Sequence, residues 1–333
     1  MSHRGSLALL LGTLLVAGAC GGSGATTPPT GGGSAAPTDV ASEAPTDDPS
    51  VAPSGTDTAS ASPSGTAPGS AEPSMGGDPD DLLAAIQDAG VIRVATDPAY
   101  PPQSELLPDG TFEGFDIAVA EEIADRLGVE VQFETPDFSE VVAGGWAGRF
   151  DVSVGSVTVT EDRMEVLDFT EPYYYTPAQM TATVESGITT LEGLAGQVIC
   201  VGETTTYQFW LEGTLVLAGG APDPAPVPEG ATFTTLSTDT ECADAAASGR
   251  TEFQGWLSSS TTIATAIEAG DPFVEVGDPV FFEALAVATD KEGPAHAELQ
   301  AELDRIIREM HEDGTLSSLS EEWFDGLDLT VTE

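Results

Sequence analysis

Apolar residues along this chain fall into two regimes. Up to residue 80 they form one run, Leu7 to Val16, and are otherwise isolated; from Asp81 onward they recur with the periods of regular secondary structure. DLLAAIQDAG (81–90) reads as a short amphipathic helix closed by Gly90, and VIRVAT (91–96) as an alternating strand. GFDIAVAEEIADRLG (114–128) sets Ile117, Ala120, Ile123, Ala124 and Leu127 on one helical face, with Gly128 as its stop. VEVQFET (129–135) predicts a strand, DFSEVVAGGWAGR (137–149) a weak helix, and FDVSVGSVTVT (150–160) a strand running into a loop. QVICVG (197–202) is a further strand that enters TTTYQFWL (204–211), and Pro294 to Phe324 is largely helical, with a stripe at i, i+3, i+4, i+7. Strand and helix patterns in alternation predict an α/β fold. AGGAPDPAPVPEGA (218–231) reads as a loop insertion.

The first 80 residues carry a different message. Arg4, the apolar run, and the small residues Ala17, Gly18 and Ala19 before Cys20 predict a signal peptide over 1–20, too short to span a bilayer as a mature helix. The segment resembles a bacterial lipobox, with Ala17 where that motif prefers Leu. The expectation is a lipid anchor on Cys20 at the extracellular face of a bacterial cell membrane, the lipid being the only membrane contact. Residues 21–80 hold only Gly, Ser, Thr, Ala, Pro, Asp, Glu, two Val and one Met, which predicts a disordered tether with a span of roughly 40 Å. All 22 aromatic residues lie at or after Tyr100, so about 250 residues are left to fold.

Charge narrows the partners. With 56 acidic and 9 basic residues the net charge is −47, which excludes nucleic acid and a polybasic membrane patch. Only 8 of the acids precede residue 81, so the folded part carries 48 acidic against 8 basic residues. No GxSxG, Walker lysine loop, GxGxxG after the first strand, HExxH or EF-hand loop occurs, so no catalytic set, cofactor or metal is indicated. His296 and His311 are fifteen residues apart and have no CxxC or HxxxH companion. Cys200 and Cys242 are expected to form a disulfide in an exported chain, contributing about 4 kcal/mol by the chain-entropy model. Arg163 stands out in SVTVTEDRMEVLDFTEPYY (156–174): its guanidinium could clasp a carboxylate beside Ser156 and Thr158, or could only balance Glu161, Asp162 and Glu165 on a helix surface.

Seven segments in order then carry a resemblance: TDPAYPP (96–102), EGFDIAVAEEIADRLG (113–128), DFSEVV (137–142), FDVSVGSVTVTEDRMEVLDFTEPYY (150–174), LAGQVICVGETTTYQ (194–208), SGR (248–250) and DGTLSSLSEEWF (313–324). Together they resemble the family 3 extracellular solute-binding proteins, receptors for polar amino acids in ABC importers. The resemblance implies a two-lobed, type II periplasmic-binding-protein-like fold with two crossing hinge strands near Tyr175–Met180 and Phe281–Ala286. Lobe one would be 81–177 with 284–333, and lobe two 178–283. It also implies a monomer that hands a small solute to an ABC permease. Residue by residue, Tyr100 and Phe138 match aromatics that pack on the solute and Asp97 an acid near its side chain. Gly155, Ser156 and Thr158 match positions that meet an α-amino group, Arg163 the clasp on the α-carboxylate, and Thr204 and Thr205 the threonine pair of the second lobe.

Several positions depart from the pattern. Where the family has an Asp that holds the ammonium, the same offset after SGR falls on Leu257, the intervening positions being Glu252 and Phe253. Gln103 replaces an aromatic, Glu203 a glycine, and Ala118 an acid of the signature helix. Either Asp97 or Glu203 takes over the ammonium, or the solute lacks a primary amine, or a more apolar or zwitterionic solute faces Trp256 and Leu257; a one-residue misalignment would also explain Leu257. Two rival functions share the scaffold: an exported enzyme of the cyclohexadienyl dehydratase type, with Glu203 as its only candidate acid, and a ligand-sensing surface domain.

Overall fold

Capping chemistry starts the folded region where the pattern places it. In the computed structural model, which describes residues 81–250 and 252–331, Asp81 Oδ1 accepts from the N–H groups of Leu83 and Ala84 at 2.8 and 3.4 Å. The helix it caps, α1 (Leu82–Ala89), ends at Gly90 in left-handed backbone. The expected signal peptide, Cys20 and the 21–80 tether lie outside the described residues. β1 (Val91–Ala95) follows, then a small antiparallel sheet of β2 (Ala99–Tyr100), β3 (Ser104–Leu106) and β4 (Phe112–Glu113). α2 (Phe115–Leu127) buries Ile117, Ala120, Ile123 and Ala124 as its spacing demands.

After β5 (Glu130–Glu134), the weak helix expected over 137–149 is only α3 (Phe138–Val142). Gly144, Gly145 and Gly148 all take φ near +70, which no continuing helix permits. β6 (Val152–Thr158), a single 3-10 turn at Arg163–Glu165 and β7 (Leu167–Phe169) lead into the ten-residue β8 (Tyr174–Thr183). The chain then forms β9 (Val198–Gly202), α4 (Thr206–Glu212), β10 (Thr232–Leu236), α5 (Thr240–Ala247), β11 (Gly255–Ser259), α6 (Ser260–Ala269) and β12 (Phe273–Glu275). The equally long β13 (Phe281–Asp290) returns, and α7 (Ala297–Glu312) and α8 (Thr315–Trp323) close the fold, divided by Gly314 at φ 80. The 218–231 stretch holds no regular element; Trp210 Nε1 pins it by donating to the Ala225 carbonyl at 2.7 Å.

Sheet order explains the two lobes. β5, β1 and β6 run parallel at one end, and β10, β9 and β11 run parallel at the other. Between them β8 and β13 pair antiparallel from Phe281 opposite Ala178 to Leu285 opposite Tyr174. β8 also pairs with β11, and β13 with β6, so these two strands carry the chain across where the crossings were expected. Each end has its own apolar core. Ile92, Val94, Phe115, Leu303 and Ile306 pack at one, and Met180, Ile199, Trp210 and Leu257 at the other. Cys200 on β9 is joined to Cys242 on α5, fastening helix to sheet. Among the described residues no helix is long and apolar enough to cross a membrane.

Candidate functional site

Loops that leave the carboxyl ends of β1, β6, β9 and β10 converge on one cleft beside β8 and β13, as ligand sites in open α/β sheets do. Its first chamber holds about 550 Å³ of atom-free space out to the mouth. Arg163 is built into it by the turn after β6, where Thr160 Oγ1 accepts from the Arg163 N–H at 3.2 Å. Arg163 is 4% exposed; Nη1 donates to the Thr158 carbonyl at 3.0 Å and Nη2 to the Thr204 carbonyl at 3.1 Å. Its Cζ sits 5.2 Å from the centre of the Phe138 ring. Nε has no partner, and among the described residues Arg163 makes no ion pair. Burial lowers its pKa to about 10, so it stays charged at neutral pH. A buried cation with an unspent donor is costly unless an anion completes it.

Carboxylates surround this cation without pairing to it. Glu283 on β13 accepts from Thr158 Oγ1 at 2.7 Å, Thr206 Oγ1 at 2.5 Å and Tyr207 Oη at 2.8 Å; burial raises its pKa against those bonds. Asp239, at the start of α5, accepts from Ser258 Oγ and is pushed up to about 7, chiefly by burial. A methyl group on Gly202 would stand 2.7 Å from the Asp239 backbone nitrogen, so only glycine there lets Asp239 reach the cleft. Asp97 is raised by burial too, while Tyr100 Oη lies 3.3 Å from Tyr207 Oη across the chamber.

Eight residues picked out by sequence line this chamber: Asp97, Tyr100, Phe138, Gly155, Ser156, Thr158, Arg163 and Thr205. Ser156 sits in left-handed backbone, φ 54, a costly state for a non-glycine residue that needs local support. Ser156 Oγ donates to Asp116 Oδ2 at 2.7 Å, its N–H to Tyr173 Oη at 3.1 Å, and Tyr173 Oη donates to Asp116 Oδ1 at 2.8 Å. Asp116, fully buried and raised to about 7 by that burial, is thus the brace of this wall. Thr204 is absent from the lining: it contributes its carbonyl to Arg163, and Thr205 and Thr206 face the chamber instead.

Other expectations need correction. Trp256 and Leu257 are fully buried and do not line the cleft. β11 is buried on both faces, so its alternating side chains enter two cores: Trp256 packs on Phe273 at 5.1 Å, and Leu257 joins Met180 and Ile199. An acid from the same lobe does line the chamber: Asp239, two strands away and anchored through Ser258. Gln103 is fully buried outside the chamber, donating to Ser259 Oγ at 3.2 Å and Thr261 Oγ1 at 2.7 Å. Glu203 lines a second chamber of about 740 Å³, which shares Asp97, Phe138 and Gly155 with the first. Sequence reasoning missed Asp239, Glu283, Thr206 and Tyr207; in a chain with 56 acids, none of these carried a local signal. Among the described residues no group of His, Cys, Asp and Glu could hold a metal.

Two lobes share the crossing strands, and their cleft carries buried carboxylates beside a buried guanidinium that makes no ion pair among the described residues. The chain belongs to the bacterial extracellular solute-binding proteins, family 3, which it matches over residues 92–326. It is 27% identical over 259 residues to the L-cystine-binding protein TcyJ of Escherichia coli (strain K12), spanning 75% of this chain and 88% of that one. A probable amino-acid-binding protein, YxeM of Bacillus subtilis (strain 168), is 27% identical over 250 residues, 74% of this chain and 88% of its own. Among solved structures, an ancestral arginine-binding protein bound to arginine aligns with TM-score 0.60 at 25% identity, over 71% of this chain and 98% of that chain. The ancestral amino acid-binding protein AncCDT-1, a precursor of cyclohexadienyl dehydratase, aligns with TM-score 0.61 at 26% identity, over 73% and 99%.

Proposed function

We propose that this protein is the receptor of an ABC importer for an α-amino acid, held by its α-carboxylate on Arg163 and by its α-ammonium against Asp239. The observation that carries the reading is the buried Arg163 guanidinium with its free Nε, in the same chamber as an acid of opposite charge. A carboxylate accepting from Nε would complete the charged donor left open there, one of two such buried groups among the described residues of the chamber, the other being Thr176 Oγ1. Amino-acid-binding relatives that cover most of the folded region support the solute class.

The lobes are 81–177 with 284–333 and 178–283, and they close about β8 and β13. Closure gains from every solute bond that both lobes share: Arg163 and Tyr100 come from one lobe, Thr205, Thr206 and Asp239 from the other. Cys20 carries the lipid anchor, and residues 21–80 hold the receptor off the membrane. The test is calorimetry of the protein against L-amino acids, their decarboxylated amines and their N-acetyl derivatives. One-to-one binding of an intact amino acid, lost in both derivatives, is the expected result; equal binding of the amine overturns the carboxylate clasp.

A dehydratase on this scaffold has one observation in its favour, the buried acids Glu283 and Asp239 in the cleft, beside the likeness to AncCDT-1. Glu203, the acid first considered, is exposed in the second chamber. Release of intact solute after prolonged incubation with the protein separates a receptor from an enzyme.

A further inference from the structure

A hydroxyl can donate its one proton or accept, and what it offers a solute depends on where that proton already goes. Around Glu283 the protons are spent. Thr158 Oγ1 and Thr206 Oγ1 both donate to Glu283 Oε1, and Tyr207 Oη donates to Oε2. Burial raises the pKa of Glu283, while those three hydroxyls and the Arg163 charge hold it down. The carboxylate enters the chamber from β13, 2% exposed, and collects donors from both lobes: Thr158 from one, Thr206 and Tyr207 from the other. Two more hydroxyls of the lining are committed in the same sense, Thr205 Oγ1 to the Gly202 carbonyl at 2.8 Å and Ser156 Oγ to Asp116 Oδ2 at 2.7 Å. What these five groups can offer a solute is lone pairs. Among the described residues of the chamber, the buried donors without a partner are Arg163 Nε and Thr176 Oγ1.

We propose that Glu283 is a positioning residue that sets the hydrogen-bond polarity of the cleft: by taking the protons of Thr158, Thr206 and Tyr207 it makes fixed acceptors of three side chains that could otherwise donate. The proposal deepens the receptor reading above and rests on it. Glu283 lies within electrostatic reach of both Arg163 and Asp239, so a solute head held between those two presents its α-substituent to the network. A substituent that donates is matched there. One that only accepts meets lone pairs with no proton between them. Selectivity for a donor then has two sources, the charge of Asp239 and the hydroxyl direction imposed by Glu283. The substitution Glu283→Gln keeps the shape of the side chain but exchanges an acceptor for an NH2 donor. That NH2 would bond the oxygen of one hydroxyl, which must then turn its own proton away, toward the chamber.

The test is displacement calorimetry on the full chain, with the tightest-binding standard L-amino acid as reference and its 2-hydroxy and 2-oxo acids as competitors. The two analogues share side chain and net charge, but the hydroxy acid can donate at the α-carbon and the oxo acid only accepts. The ratio of their affinities therefore reports hydroxyl direction and is blind to the charge lost in Glu283→Gln. Wild type is expected to bind the hydroxy acid about tenfold more tightly than the oxo acid, and Glu283→Gln to bring that ratio close to one. Thr158→Val removes one fixed acceptor without touching Glu283, and should weaken the hydroxy acid while sparing the oxo acid. A wild type that binds the amino acid but takes the oxo acid as readily as the hydroxy acid, or takes neither, overturns the proposal and leaves the receptor reading standing. An unchanged ratio in folded Glu283→Gln, with both analogues weakened alike, makes Glu283 a merely structural residue and overturns it equally. So does a loss confined to the oxo acid in Thr158→Val, the sign of a threonine that donates. Absence of binding by every L-amino acid overturns both readings.

Discussion

Asp239→Asn probes the electrostatics of the cleft through its pH dependence. In the empty protein the Asp239 carboxyl is buried near Asp97 and Glu283 and titrates at about 7, so below pH 6 it is mostly neutral. A solute ammonium seated against it favours the ionised form. If the loaded carboxyl returns to its ordinary value of 3.8, the two states differ by about three units, or about 4 kcal/mol at 1.36 kcal/mol per unit. Apparent affinity then falls about tenfold per pH unit below 7, and about a hundredfold between pH 8 and pH 5, with one proton released on binding at the acid end. Calorimetry in two buffers of different ionisation enthalpy reads both the affinity and the proton. In Asp239→Asn the slope should flatten and the affinity at pH 8 should drop about tenfold or more, the loss of one charge-assisted bond. Wild-type affinity that stays level from pH 5 to 8, or a variant with the wild-type slope, refutes the reasoning. In the empty protein the sign reverses. Carboxyls raised on folding, Asp239 and Asp116 alike, stabilise the fold at low pH, and that contribution is lost as pH climbs from about 4 through 7.

Three further outcomes follow from the packing. Reducing Cys200–Cys242, which closes a loop of 42 residues, should cost about 4 kcal/mol and lower the melting temperature by roughly 10 °C; a shift of a degree or two would remove the disulfide as a main support. Gln103→Ala breaks buried bonds to Ser259 and Thr261 that tie the loop after β2 to the start of α6. It should weaken solute binding about tenfold without touching the solute, and unchanged affinity would show that these bonds do not favour closure. Leu257→Ala should destabilise by about 2–5 kcal/mol in thermal unfolding, as a core truncation does, while a variant that melts like wild type but binds differently would return Leu257 to the cleft.

What could be read in the chain and what could not divide along a physical line. α1 and α2 were legible because their caps and stripes are local: Asp81 and Gly90, Gly128, and the apolar positions of 117–127. Arg163 was legible because cations are scarce here, so one Arg beside Ser156 and Thr158 is informative. Asp239 and Glu283 were not, since their meaning comes from burial, and burial depends on which strands meet. β11 shows the difficulty most clearly. An offset counted from SGR lands on Leu257, but Trp256 and Leu257 are claimed by cores on opposite faces of the strand. Only Ser258 and Ser259 remain for polar partners, and Ser258 reaches across to Asp239. The threonine pair moved by one position for a similar reason. Thr204, at φ 60, turns its carbonyl to Arg163, which leaves Thr205 to cap α4 and Thr206 to meet Glu283.

Arg163 carries the central claim, and the dissociation constant of its best-binding L-amino acid, measured by calorimetry for wild type, Arg163→Ala and Arg163→Lys, tests it most directly. The clasp predicts a loss of about a hundredfold or more in Arg163→Ala and an incomplete rescue in Arg163→Lys, because a lysine ammonium cannot hold the Thr158 and Thr204 carbonyls and the carboxylate in the geometry of the planar guanidinium. The decarboxylated amine of the same solute, which has nothing for the guanidinium to grip, should bind wild type and Arg163→Ala alike. An intact amino acid that binds folded Arg163→Ala as tightly as wild type contradicts the account.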